Sequence, residues 1–239
     1  MFKRKNLEPE IDFKSVTTKI YEKRLYFKKR REGMYTLGSA SYLDASKYSR
    51  EILSLSKEDI VKKLTKYNPI LKETFSELLE SIRYFFEREF GLECRYSSRL
   101  AYPGFHIFES SNENSNQYNH EPHFDGQYET LMKIMDIKDI SPEKLLSFTL
   151  PIALPPEGGG LRMWNWNYND NNGKTTKEII NGIKKSKIVN IKYNEGEIIW
   201  HNGLNLHQIK AWPISKQSTP RITMQGHGCL INNKMYLYW

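Results

Sequence analysis

The chain has little of several things, and each shortage excludes something. Two cysteines, Cys94 and Cys229, stand in 239 residues; they cannot build a disulfide framework or a four-thiolate metal site and are read as reduced thiols without a functional part. No window approaches the roughly 18 uninterrupted apolar residues that a membrane-spanning helix needs. The first residues, MFKRKNLEPE, are basic with no apolar stretch behind them, which does not fit a secretory leader. A soluble, cytoplasmic chain with no membrane contact is therefore expected. Zinc-finger spacing and an RNP-type aromatic motif are both missing, so no nucleic-acid partner is expected either. Histidine is scarce too, with six in the chain, and each is worth placing.

What is there suits a globular fold rich in strands. The chain is long enough to bury a core without staples, and its 15 Tyr and 11 Phe favour pleated, half-buried positions. The net charge of +8 is unevenly placed: residues 1–32 hold 11 basic and 5 acidic side chains. That segment reads as a solvated basic face or as an arm attracting anions.

LSKEDIVKKLTKY reads as a helix opened by Ser56 and Asp59 in a capping-box spacing. A second helix is expected to follow at once, with Asn68 as its cap, Pro69 in its first turn, an apolar face from Leu71 to Phe86, and Gly91 as its stop. From Glu93 onward the texture changes to short apolar or alternating runs between Gly, Pro and Asn clusters, which favours a sandwich or barrel. Helical signals are weak between those runs, apart from a partly helical excursion over 127–145. One domain over 1–239 is expected, with 1–92 a basic and helical layer and 93–239 the β core.

Within EPHFDGQYE, His123 and Asp125 are two residues apart. In an extended strand such a pair shares one face and can converge on one ion, although a lone His-x-Asp also arises by chance in polar loops. A third ligand would come from His106, His120, His201, His207 or His227. His207 opens a strand between Leu206 and Ile209 and can aim inward, whereas His201 is expected to face a loop. Two histidines and a carboxylate leave one face of an octahedral metal open, as Fe(II) oxygenases require.

The order of these motifs resembles the Fe(II)/2-oxoglutarate-dependent dioxygenases. His-x-Asp is followed 82 residues after Asp125 by His207, which itself lies eleven residues after Gly196 in a Gly-Glu-apolar-Trp run, and RIT begins fourteen residues further on. EGGGLRMW also resembles the Gly-Gly-x-Leu start of a central strand in that family. The resemblance covers about residues 93–230. It implies a mainly β fold with flanking helices around a double-stranded β-helix (jelly-roll, cupin-like) core. It also implies Fe(II) on His123, Asp125 and His207, 2-oxoglutarate as co-substrate with its far carboxylate on Arg221 and Thr223, O2 as oxidant, and a hydroxylated small-molecule product. The second co-substrate contact is open among Tyr102, Arg99 and His106, with Tyr102 carried forward. Because Asp125 keeps the metal carboxylate, hydroxylation is expected rather than halogenation. Gln127, Tyr128, Arg162, Trp164 and Trp166 are candidate substrate contacts, though Trp-rich strands also pack against helices. A cupin-like hydrolase or isomerase that uses no 2-oxoglutarate, an oxygenase acting on a peptide side chain or nucleic acid, and a non-enzymatic barrel using its basic arm stay open as alternatives.

Overall fold

The computed structural model describes residues 2–8, 11–40, 56–109, 121–126, 128–156, 159–210 and 219–239. Four helices and twelve strands are found among them. The strands are β1 (Phe2–Asn6), β2 (Lys28–Arg31), β3 (Met34–Leu37), β4 (Cys94–Tyr96), β5 (Gly104–Phe108), β6 (Ile140–Ala153), β7 (Gly160–Asn167), β8 (Ile188–Lys192), β9 (Glu197–His201), β10 (Asn205–Lys210), β11 (Arg221–Ile231) and β12 (Lys234–Tyr238). The helices, in chain order, are α1 (Phe13–Glu22), α2 (Lys57–Phe90), α3 (Tyr128–Ile134) and α4 (Thr176–Lys185). None is long and apolar enough to cross a membrane.

The strands form two sheets, which is the expected jelly-roll. The major sheet runs β1-β9-β6-β11-β5-β3-β2, with β12 beside the second half of β11 and β4 beyond it; the minor sheet runs β10-β7-β8. Alternation along the central strands sorts their side chains onto two faces. Phe148, Leu150, Trp200, Ile222 and Met224 meet α1 and α2 in the main apolar core, where the Phe85 and Phe86 rings lie 5.3 and 6.0 Å from Trp200, edge to face. The opposite face of the same strands looks at the minor sheet: Ile199 joins Leu161, Met163, Ile191 and Tyr193. Thr149, His201, Thr223 and His227 share that inward face by register.

Three expectations need correction. Residues 1–92 are not a helical layer alone, because β1 and β2 close the two edges of the major sheet. Their sequences, FKRKN and KKRR, put much of the basic excess where an exposed strand edge needs charge to discourage pairing with another chain. Next, the break between the two expected helices falls at Phe75 and not at Asn68: the capping box at Ser56 and the left-handed Gly91 stop are as expected, but helical geometry runs through Pro69, and α2 is two helical stretches joined by a kink at Phe75. A continuing helix offers no free N–H groups for Asn68 to cap; the Asn68 side chain instead donates to Leu100 O at 2.9 Å and accepts from Tyr102 N at 3.0 Å, tying down the approach to β5. Lastly, α4 was not anticipated. Its signal is the Thr175 and Glu178 capping box, masked by a short, lysine-rich helix whose apolar residues Ile179 and Ile183 cover only two tryptophans of β7.

Candidate metal centre

The His-x-Asp segment is stitched to β10 by backbone. His123 N–H donates to His207 O at 2.9 Å, His207 N–H returns to His123 O at 3.0 Å, and Asp125 N–H donates to Gly203 O at 2.9 Å. These bonds force the side chains of His123 and His207 onto the same side, with ring centroids 4.5 Å apart. Phe124, between His123 and Asp125, turns the other way and packs against Tyr168 at 5.5 Å. One ligand atom from each of His123, Asp125 and His207 lies within 4.8 Å of the other two.

The hydrogen bonds behind the rings decide what the front can bind. His123 Nδ1 sits 2.8 Å from Glu121 O and His207 Nδ1 2.8 Å from Asn205 O. A carbonyl can only accept, so each Nδ1 carries a proton, and in that neutral tautomer the Nε2 lone pair of each ring is turned forward. Those lone pairs face Asp125, at 3.9 Å from His123 Nε2 to Oδ1 and 3.4 Å from His207 Nε2 to Oδ2. Asp125 Oδ2 is buried and accepts no hydrogen bond among the described residues. Two lone pairs and a buried carboxylate oxygen repel one another unless a cation sits between them, so the donor set fits a divalent metal.

The surrounding electrostatics agree. Burial alone would raise the Asp125 carboxyl, but His207, His227, His123 and His201 outweigh it and hold it well below the ordinary range. Burial lowers His207 and His227, and lowers His201 to about 3, with the Asp125 charge pulling each of them the other way.

A second group of polar side chains lies further along the inward face of β11. Arg221 is fully buried, with its guanidinium carbon 5.0 Å from the Phe108 ring and 5.4 Å from the Tyr193 ring. Burial lowers Arg221, and the Tyr193 phenol beside it works the other way. Gly159 makes room here: a Cβ on it would stand 3.0 Å from Arg221 Nε. Thr223, two residues on and facing the same way, has a buried Oγ1 with no hydrogen bond among the described residues. A bidentate cation beside a hydroxyl, in a cradle that any side chain at position 159 would crowd, suits a carboxylate.

Other sequence candidates are scattered. Tyr102 packs against Tyr96, 5.2 Å away, under α2; Arg221 pairs with Phe108, six residues further along an extended chain, or roughly 20 Å. Arg99 donates to Met135 O beyond the end of α3. Of the three proposed second contacts, only His106 shares the inward face with Thr223, its partner in register. Tyr193, which the sequence did not single out, stands beside Arg221 instead. Trp164 and Trp166 are outward residues that pack with Phe124, Leu206, Ile179 and Ile183, and Trp166 Nε1 donates to Asn171 Oδ1 at 2.9 Å. Arg162 shares their face, with Asn190 as its partner at 3.4 Å. The inward face of β7 carries Leu161 and Met163, and Met163 is paired with His207. Gln127 and His120 lie outside the described residues.

Tyr128 lies beside the cluster. It lines a small void of about 10 Å³ together with Asp125, Asn202, Gly203, His227 and Tyr238. Burial and Glu129 push its phenol up to about 12, so it is a neutral hydroxyl at any ordinary pH. His201 and His227 are neighbours of the cluster whose position sequence reasoning missed: His201 is buried rather than on a loop, with its ring 4.7 Å from His207. The only available signal was that both fall on inward positions of strands.

No protein-family model matches the chain, and no curated protein matches it in sequence. Solved structures do. The non-heme α-ketoglutarate dependent epimerase SnoN from nogalamycin biosynthesis aligns at a TM-score of 0.50 and 12% identity, covering 96% of this chain and 77% of that one. The carbocyclase SnoK from the same biosynthesis, also non-heme and α-ketoglutarate dependent, aligns at 0.50 and 8% identity, covering 98% and 82%. An N-substituted L-amino acid dioxygenase from Burkholderia ambifaria AMMD gives 0.49 at 13% identity, covering 87% and 86%. At such identities the likeness to SnoN and SnoK is one of fold.

Proposed function

We propose that this chain is a cytoplasmic Fe(II)- and 2-oxoglutarate-dependent oxygenase that hydroxylates an unactivated C–H bond of a small molecule, an amino acid or a natural-product intermediate. The observation that carries the reading is the pair of backbone carbonyls that fix both imidazoles with Nε2 lone pairs turned towards a buried, hydrogen-bond-deficient Asp125 oxygen. The shared fold with two non-heme α-ketoglutarate dependent enzymes supports it.

His123, Asp125 and His207 would hold the iron as a two-histidine, one-carboxylate donor set. When bound, the metal supplies the redox chemistry by which one O2 and one 2-oxoglutarate become succinate, CO2 and one oxygen atom inserted into substrate. Arg221 orients the co-substrate by gripping its far carboxylate, with the Thr223 hydroxyl beside it. Phe108 and Tyr193 flank that guanidinium and keep water from competing for it, which strengthens the ion pair. Across the centre, Tyr128 and His227 border the void over Asp125 and would orient a substrate entering there. Trp164 and Trp166 pack against α4 and Arg162 is tied to Asn190 of β8, so this reading gives them no part.

The test needs no substrate. Protein incubated with Fe(II), 2-oxoglutarate and O2 should release succinate slowly and in an iron-dependent way, and Asp125→Ala should release none. No succinate from the wild type, or equal release by Asp125→Ala, would refute the proposal.

A further inference from the structure

His201 is a buried histidine that the ligand set does not use. It ends β9 between Phe2 and Ser147 of the neighbouring strands, and two interactions connect it to the candidate ligands. The first runs through backbone. Gly203 N–H donates to His201 Nδ1 at 3.0 Å, so that nitrogen carries a lone pair and not a proton. The carbonyl of the same Gly203 accepts from Asp125 N–H at 2.9 Å. Gly203 is in the left-handed region at φ +73, and a Cβ on it would stand 3.1 Å from Asp125 Cβ, so this residue and Asp125 are in direct contact as well. The second runs through the ring, which meets His207 edge to face at 4.7 Å and 62°.

We propose that His201 is a positioning residue for the metal centre: its Nδ1 holds the 201–203 turn, and Gly203 passes that constraint to the backbone of Asp125. The inference rests on the metal-binding reading above. Without the acceptor, the Gly203 N–H is a buried donor with nothing to satisfy it, and the turn rotates to find another. Asp125 then loses the fixed carbonyl that sets where its carboxylate points, although every proposed ligand is still present. His201 never touches metal or substrate in this account.

Two substitutions separate the ring from the acceptor. His201→Phe keeps a planar ring against His207 and removes Nδ1. His201→Asn removes the ring but keeps an oxygen able to accept from the N–H two residues on, as Asx turns do. Co(II) titrated into each purified full-length protein by its visible absorption should bind His201→Phe about 10-fold more weakly than wild type, the usual scale for losing support behind a ligand. Binding to His201→Asn should stay near the wild-type value. In metal-free protein, hydrogen exchange of the peptide covering 121–126 should speed up in His201→Phe and stay slow in His201→Asn, with the exchange of β6 and β11 reporting that the fold is intact. Should His201→Phe fail to fold, His201→Leu takes its place. Wild-type affinity and unchanged exchange in His201→Phe would overturn the proposal, as would equal losses in both variants. A wild type that binds no Co(II) would refute the metal reading instead, and the exchange comparison would then judge the relay by itself.

Discussion

Gly203→Ala and Gly173→Ala together separate backbone strain from damage to the metal centre. Both glycines are left-handed, at φ +73 and +72, but a Cβ at 203 would stand 3.1 Å from Asp125 Cβ while one at 173 would meet nothing within 4 Å. An alanine in this region costs about 1–2 kcal/mol, and a smaller unfolded-state entropy returns about 0.4–1 kcal/mol. Each variant should therefore lose around 1 kcal/mol, or about 2–4 °C in a chain of this size. Only Gly203→Ala has a second effect. Its methyl group pushes Asp125 back by a few tenths of an ångström, more than the roughly 0.2 Å tolerance of a metal–ligand distance. Co(II) affinity should fall about 10-fold, on the scale of a disturbed ligand support. Calorimetry of the metal-free proteins and Co(II) titration of the same samples make the comparison: matched losses in melting temperature, with affinity lost in Gly203→Ala alone. If both variants bind Co(II) like the wild type, the position of Asp125 against Gly203 does not control the centre and the reasoning fails.

Two further outcomes are expected. Gly182→Ala would drive a methyl group into the Trp166 ring, where a Cβ stands only 2.1 Å away; the overpacking should lower stability by about 1–3 kcal/mol in urea unfolding while leaving Co(II) affinity unchanged, and a loss of affinity would return Trp166 to the site. Acid should destabilise the metal-free protein well above the range where carboxylates protonate. His201, His207 and His227 have folded values lowered by burial, so below the unfolded value near 6.5 the unfolded chain binds protons that the native chain refuses, and stability falls as pH falls. With His201 lowered to about 3, that residue alone should cost about 2 kcal/mol between pH 7 and pH 5. Asp125 works in the same direction only below its own unfolded value, so urea midpoints at pH 7 and 5 isolate the histidines; equal midpoints would contradict their neutral burial.

The parts legible in the sequence were those written locally. Ser56 with Asp59, Gly91, and the alternation of the later strands each carry their own geometry, and they match α2 and the two sheets. His123, Asp125 and His207 were legible as a spacing and come together as one cluster. Long-range partnership was not legible. Alternation showed that Trp164 and Trp166 share a face, but whether that face looks inward depends on α4 folding over it, and a ten-residue helix rich in lysine declared itself only by its cap. Tyr193 and His201 acquired neighbours through strand pairing, the backbone bond from Tyr193 to Gly159 and the turn at Gly203, which no window of sequence contains. Asn68 had the composition of a cap, yet the continuity of α2 through Pro69 left it free to hold the chain near Tyr102.

The central claim is that His123, Asp125 and His207 hold Fe(II) while Arg221 holds the far end of 2-oxoglutarate. Its most direct test is an anaerobic titration of the protein with Fe(II) and then 2-oxoglutarate, followed by the weak visible charge-transfer absorption of a keto acid chelated to iron. Wild type should develop the band, Asp125→Ala should not, and Arg221→Ala should need far more 2-oxoglutarate while binding Co(II) like the wild type. A band that survives Asp125→Ala, or no band in the wild type at saturating iron and 2-oxoglutarate, would contradict the account.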